Sequence, residues 1–214
     1  MKYKCVIFDC DGVLVDSEII TCKVLVSMAG ELGLDINLDF TVKNFMGKSL
    51  KHIMEYLDTQ LDVPLPPNFE RDYRARTFTK FEEELQPIEG VQDLIAQLDV
   101  PFCVASSGPL NKIKTNLTIT QLADKFTNRM FSCYEINSWK PEPDIFLHAA
   151  KTMGFKTSEC VVVEDSSVGV QAALAGGFDV FRYSHNSSDD FANHTKVTPF
   201  THMNQLLPLW SNEN

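Results

Sequence analysis

No apolar run in this chain is long enough to cross a bilayer, and no two cysteines stand in a CxxC spacing. The first absence removes a helical membrane span. The second removes the ligand spacing of structural zinc sites and of dithiol redox motifs. The six cysteines (Cys5, Cys10, Cys22, Cys103, Cys133 and Cys160) are scattered, several in predicted buried strands, and read as free thiols that pack like small hydrophobes. The chain opens into a strand rather than a charged segment followed by an apolar one, so a cytoplasmic location is the expectation. Internal repeats and low-complexity tracts are missing as well. Positive charge is in short supply: 19 Lys and Arg face 29 Asp and Glu, a formal charge of −10. Such a surface repels polyanions, which sets aside nucleic acid and anionic membranes as partners. An anionic substrate would need a local positive site.

What is present suits a soluble globular fold. At 214 residues, 44% hydrophobic and 22% charged, the chain can bury a sizeable core as one domain or as a domain with a smaller insert. Its most informative stretch is Cys5-Val6-Ile7-Phe8-Asp9-Cys10-Asp11-Gly12. Four apolar residues, the pattern of a strand buried on both faces, run into two carboxylates and a glycine that permits a sharp turn. Neighbouring acids repel unless a cation or substrate compensates them, so the pair reads as a Mg²⁺ site with a nucleophilic aspartate. The plainer alternative is that Asp9 or Asp11 caps a helix or closes an Asx-turn. A Ca²⁺ loop fails on spacing, because Leu14 and Ile20 stand where such a loop needs Gly and Glu.

Three later segments extend the pattern. Phe102-Cys103-Val104-Ala105-Ser106-Ser107-Gly108 is a short strand ending in hydroxyls, suited to a phosphate oxygen or to plain helix capping. Trp139-Lys140-Pro141-Glu142-Pro143 fixes one lysine between prolines, either as a localised charge or as a solvated side chain. Val161-Val162-Val163-Glu164-Asp165-Ser166 is a second buried-type strand ending in a second acid pair, which capping alone explains poorly. In this order, over the whole chain, the segments resemble the four motif regions of the haloacid dehalogenase-like hydrolase superfamily. Asp-Cys-Asp-Gly-Val-Leu-Val-Asp-Ser-Glu, Val-Ala-Ser-Ser-Gly-Pro, Trp-Lys-Pro-Glu-Pro and Val-Glu-Asp-Ser are most similar to the β-phosphoglucomutase-like branch, and within it to sugar-phosphate phosphatases.

The resemblance implies an α/β fold, with a Rossmann-like doubly wound parallel sheet as core and an inserted helical cap. The expected boundaries are 1–16 and 87–214 for the core and 17–86 for the cap. Strands are predicted at 102–105, 130–132, 160–164 and 179–182, and helices at 90–98, 109–117, 143–153 and 167–175, after a cap that reads as helices alone. The polar stretch 185–195 is predicted to be a surface loop.

The resemblance also implies a chemistry. Asp9 would attack phosphorus and Asp11 would act as general acid and then base. Ser106 and Lys140 would hold the phosphoryl oxygens. Mg²⁺, or Mn²⁺ in its place, would be bound by Asp9, the Asp11 carbonyl and Asp165, with Glu164 directly or through water. Ser107, Gly47 and Lys48 are candidate substrate contacts, with Lys51, Arg71, Arg74 and Arg76 as further cationic options in the cap. The expected substrate is a small phosphorylated sugar or sugar acid, for instance 6-phosphogluconate, and the expected state is a monomer. Thr21 stands where the branch's mutases carry a histidine, and none of the five histidines lies in the acidic loop, which disfavours a mutase. Asp11 and the second acid pair disfavour a hydrolytic dehalogenase. A phosphorylatable receiver or a non-catalytic binding module is the alternative from another class, and the helical insert speaks against it.

Overall fold

In the computed structural model, which describes residues 3–46, 48–184, 191 and 193–211, the apolar run ahead of Asp9 is strand β1 (Cys5–Phe8), buried at every position. Its side chains alternate between two packed faces, as a central parallel strand requires. Cys5 and Ile7 enter a cluster with Ile145, Phe146, Ala149 and Val170. On the other face, Phe8 meets the rings of Phe102 and Phe126 edge-on, with centroids 6.3 and 6.4 Å away. Burying an aromatic ring there favours the fold by about 1.5–3 kcal/mol.

Contacts along the chain define two compact units, Met1–Val15 with Gln86–Asn214, and Asp16–Leu85. The sequence reading drew both divisions one residue later. The second unit holds α1 (Glu18–Glu31), α2 (Leu38–Phe45), α3 (Leu50–Gln60) and α4 (Phe69–Glu84). Ser17 occupies the N-cap position of α1 but makes no side-chain cap there. Leu25, Met28, Phe45, Leu57 and Phe69 form the centre of this unit. Helix α2 was not anticipated. Its signal is local: the Asn37 side chain accepts the Phe40 N–H and caps a helix only two turns long.

The larger unit continues with α5 (Val91–Gln97), β2 (Phe102–Ser106), α6 (Leu110–Ile119), β3 (Met130–Ser132) and α7 (Cys133–Ile136). It closes with α8 (Asp144–Met153), β4 (Cys160–Glu164), α9 (Ser167–Ala175), β5 (Asp179–Tyr183), β6 (Val197–Phe200) and α10 (Leu206–Ser211). The six strands form one parallel sheet in the order β3-β2-β1-β4-β5-β6, the expected doubly wound α/β core. The chain builds outward from β1 to β3, returns to β4 on the other side of β1, and builds outward again. That reversal puts a topological switch between β1 and β4, where open α/β sheets place their ligands. Strand β6 is an addition to the sequence reading. It carries Pro199, which lacks an N–H and is tolerated because β6 is an edge. Of the predicted 185–195 loop, 185–190 and 192 lie outside the described residues. The six cysteines are buried and free, and no described helix is long and apolar enough to cross a membrane.

Candidate active site

Asp9 is the first residue beyond β1, and its N–H donates to the Val163 carbonyl at 2.9 Å, which ties the exit of β1 to β4. The chain then turns at Gly12, whose φ of +82° favours glycine. A Cβ at this position would stand 2.2 Å from Asp165 Oδ2, so the missing side chain is also what lets Asp165 approach the acidic loop. Neither Asp9 nor Asp11 caps a helix, since α1 begins only at Glu18. That removes helix capping as the reading of the acid pair.

Lys140 reaches in from the loop ahead of α8. Its ammonium lies 2.5 Å from Asp9 Oδ1 and 2.7 Å from Glu164 Oε1, and 4.8 Å above the Phe146 ring. Only 4% of its side chain is exposed, so it is not the solvated lysine that a proline-rich loop could have carried. Burial pulls its pKa down, but the charges of Asp9 and Glu164 outweigh burial and hold the ammonium above its ordinary range. For Asp9, burial acts first and upward, Lys140 pulls back, and Glu164 and Asp11 push up again, leaving its pKa raised to about 7. The buried Cys10 thiol is pushed well up by burial and by Asp11 and Asp9, which makes it inert.

Glu164 ends β4, wholly buried. Its Oε2 accepts the Ser166 N–H at 2.6 Å and the Ser166 hydroxyl at 3.0 Å, while Ser166 Oγ accepts the Gly169 N–H and caps α9. An added Cβ at Gly169 would fall 1.6 Å from Glu164 Oε1, so α9 presses directly on this carboxylate. Asp165, next in sequence, is partly exposed. Asp9, Glu164 and Asp165 each offer a carboxylate oxygen within 4.8 Å of the others, the one such acidic group among the described residues. Three hard oxygen donors around one point, one of them on a carboxylate strained by burial, fit a divalent cation such as Mg²⁺.

Ser106 is the last residue of β2 and is buried. Its Oγ accepts the Gly108 N–H at 3.0 Å, and Ser132 Oγ donates to the Gly108 carbonyl at 2.7 Å. Helix α6 has Pro109 at its N-cap, so neither Ser106 nor the exposed Ser107 caps it. The sheet thus brings Asp9, Asp11, Ser106, Lys140, Glu164 and Asp165 to the C-terminal ends of β1, β2 and β4 and the adjoining loop. Sequence reasoning missed Lys112 and Asn116 on α6, Ser132 and Ser166. Lys112 Nζ lies 2.8 Å from Asp11 Oδ2 and Asn116 Nδ2 lies 3.5 Å from Asp11 Oδ1. The only sequence signal for this pair was its four-residue spacing on a helix following one of the motif strands.

Gly47 lies outside the described residues. Lys48 is exposed just before α3. Arg71 pairs with Asp72, Arg74 with Glu70, Arg76 with Glu31 and Lys51 with Glu55, all solvent-facing pairs of the kind that contribute little energy.

Fold and site together define a doubly wound α/β domain that gathers carboxylates and a buried lysine at the C-terminal ends of its central strands. The chain belongs to the haloacid dehalogenase-like hydrolases, whose family model matches residues 6–183. It is 36% identical over 210 residues to the 6-phosphogluconate phosphatase of Escherichia coli K12, covering 98% of this chain and 95% of that protein. A haloacid dehalogenase-like protein of unknown function from Agrobacterium tumefaciens superposes with a TM-score of 0.85 at 28% identity, covering 98% of both chains. A family hydrolase from Deinococcus radiodurans, solved with bound phosphate and sodium, gives a TM-score of 0.81 at 27% identity over 98% of this chain and 96% of that one.

Proposed function

We propose that this protein is a phosphatase that releases phosphate from a small phosphorylated sugar or sugar acid, with Asp9 as nucleophile and Mg²⁺ as cofactor. The observation that carries the reading is the Lys140 ammonium held between Asp9 and Glu164, with Asp11 two residues from the nucleophile and Asp165 beside the acid at the end of β4. The similarity to 6-phosphogluconate phosphatase along nearly the whole chain supports the substrate class and makes 6-phosphogluconate the first compound to try.

The steps follow from the residues. An Asp9 oxygen attacks phosphorus in line, and the bond from phosphorus to the ester oxygen breaks. Asp11 gives its proton to the departing alkoxide, leaving a phosphorylated Asp9. Asp11, now a carboxylate, takes a proton from water, whose oxygen attacks phosphorus and frees Asp9 and inorganic phosphate. Lys140 and Ser106 hold non-bridging oxygens, and the Ser132-anchored turn at Gly108 keeps Ser106 in place. Asp9, the Asp11 carbonyl and Asp165 would hold the cation, which neutralises phosphoryl charge when bound. Glu164 accepts from Lys140 on Oε1 and twice from Ser166 on Oε2, so its part is to orient Lys140 and to reach the cation directly through Oε1 or through water. The helical unit 16–85 is assigned the reading of the non-phosphate part of the substrate, with Lys48 as its first candidate. Ser107 takes the same role from the core.

The test is phosphate release from a panel of phosphorylated sugars and sugar acids, with Mg²⁺ and with EDTA, for wild type and Asp9→Asn. Metal-dependent turnover that the substitution abolishes, together with loss of acid-stable phosphoenzyme, is the expected result. Full activity in Asp9→Asn excludes the mechanism. A different ester at the head of the panel keeps the mechanism and replaces the substrate.

A further inference from the structure

We infer that Lys112 and Asn116 are positioning residues that fix the Asp11 carboxyl for its acid/base work. The inference rests on the phosphatase reading above. The two side chains stand one turn apart on the same face of α6. Each takes one oxygen of Asp11, the ammonium at 2.8 Å from Oδ2 and the amide at a longer 3.5 Å from Oδ1. The two contacts fall on different oxygens, so together they resist rotation of the carboxyl about its Cβ–Cγ bond. The clamp therefore sets the rotation of the carboxyl.

A purely stabilising role fits these residues poorly. The Lys112–Asp11 pair keeps about a quarter of both side chains in solvent, at 22% and 25% exposure, and ion pairs of that kind add little to stability. Asn116 is completely buried, and its Oδ1 has no hydrogen-bond partner among the described residues. An apolar residue would suit that position at lower cost, because an unpaired buried amide oxygen is unfavourable. The fold carries that cost at the one place where the other end of the amide points at Asp11. Orienting the acid in the folded state spares each turnover the entropy of finding that orientation.

The experiment compares two esters by stopped flow with Mg²⁺. A sugar phosphate releases an alkoxide that needs a proton to depart, whereas 4-nitrophenyl phosphate releases a stable anion that needs none. Lys112→Met should slow the first turnover of the sugar phosphate by roughly 10–100-fold, part of what general acid catalysis contributes. KM should move by less than about threefold. The burst of 4-nitrophenolate should slow far less, and Lys112→Arg should recover most of the sugar-phosphate rate. In an Asp11→Asn background, Lys112→Met should add no further loss, because the group it positions is gone. Asn116→Leu should reproduce the same selectivity to a smaller degree. Equal slowing on both esters, or full additivity with Asp11→Asn, overturns the positioning role and leaves the phosphatase reading standing. Wild-type protein that releases phosphate from neither ester overturns both.

Discussion

At the scale of single residues, the site works through a carboxylate that the fold makes uncomfortable. Burial lifts Asp9 to about 7, against the pull of Lys140, so in metal-free protein its charged form is a burden on the folded state. The burden is absent below the ordinary aspartate range, grows as pH rises through it toward 7, and is complete above 7. A cation held by Asp9 and Asp165 offsets it, but only after the proton has left. The melting temperature should therefore rise strongly with Mg²⁺ over EDTA at pH 8 and hardly at pH 5, and Mg²⁺ affinity should fall about tenfold per pH unit below 7. Scanning fluorimetry across this range reads both, and a larger Mg²⁺ effect at pH 5 would contradict the assignment. The identities of the acids were legible from their place at strand ends. The immersion of Lys140 was not, because whether a proline-bounded lysine faces water or two carboxylates depends on segments far apart in the chain.

At the scale of elements, the sequence displayed the strands buried on both faces, since β1, β2 and β4 are unbroken apolar runs. It hid β6, a four-residue strand interrupted by Pro199, and α2, whose short run includes the β-branched Thr41 and Val42. It also hid the pressure of α9 on Glu164, because a glycine in a helix has several readings and only the packing selects one. Gly169→Ala tests that contact. Its methyl group has no room against Glu164, so either the carboxylate or the helix must move. A loss of about 1–3 kcal/mol in urea denaturation is expected, with a larger loss of kcat than of substrate affinity, because Lys140 loses one of its two anchors. Unchanged stability and kcat would show that α9 yields without consequence.

At the scale of the molecule, a net charge of −10 opposes the approach of any phosphate ester. Screening that repulsion should raise kcat/KM about two- to threefold as NaCl increases from about 10 to 150 mM at saturating Mg²⁺. A steady fall instead would mean that the local field of the lysines and the cation governs encounter. The doubly wound core was legible in the alternation of strands and helices after residue 87. What each side chain of the helical unit 16–85 does was not, because charge-mixed helix faces look alike in sequence whether they read a ligand or only face water. The strand order also governs the birth of the enzyme. Strand β1 precedes the other five strands in the sequence, yet it sits in the middle of the sheet, and its register pairs Val6 with Phe102 and Cys5 with Cys160. A nascent chain therefore carries an unpaired Cys-Val-Ile-Phe strand until β2 has been made, while the local helices of 16–85 need no such wait. Asp9 is made ahead of its lysine and of the second acid pair, and it stays without them until synthesis has passed Asp165, so no fragment that ends earlier can hydrolyse anything by the proposed route.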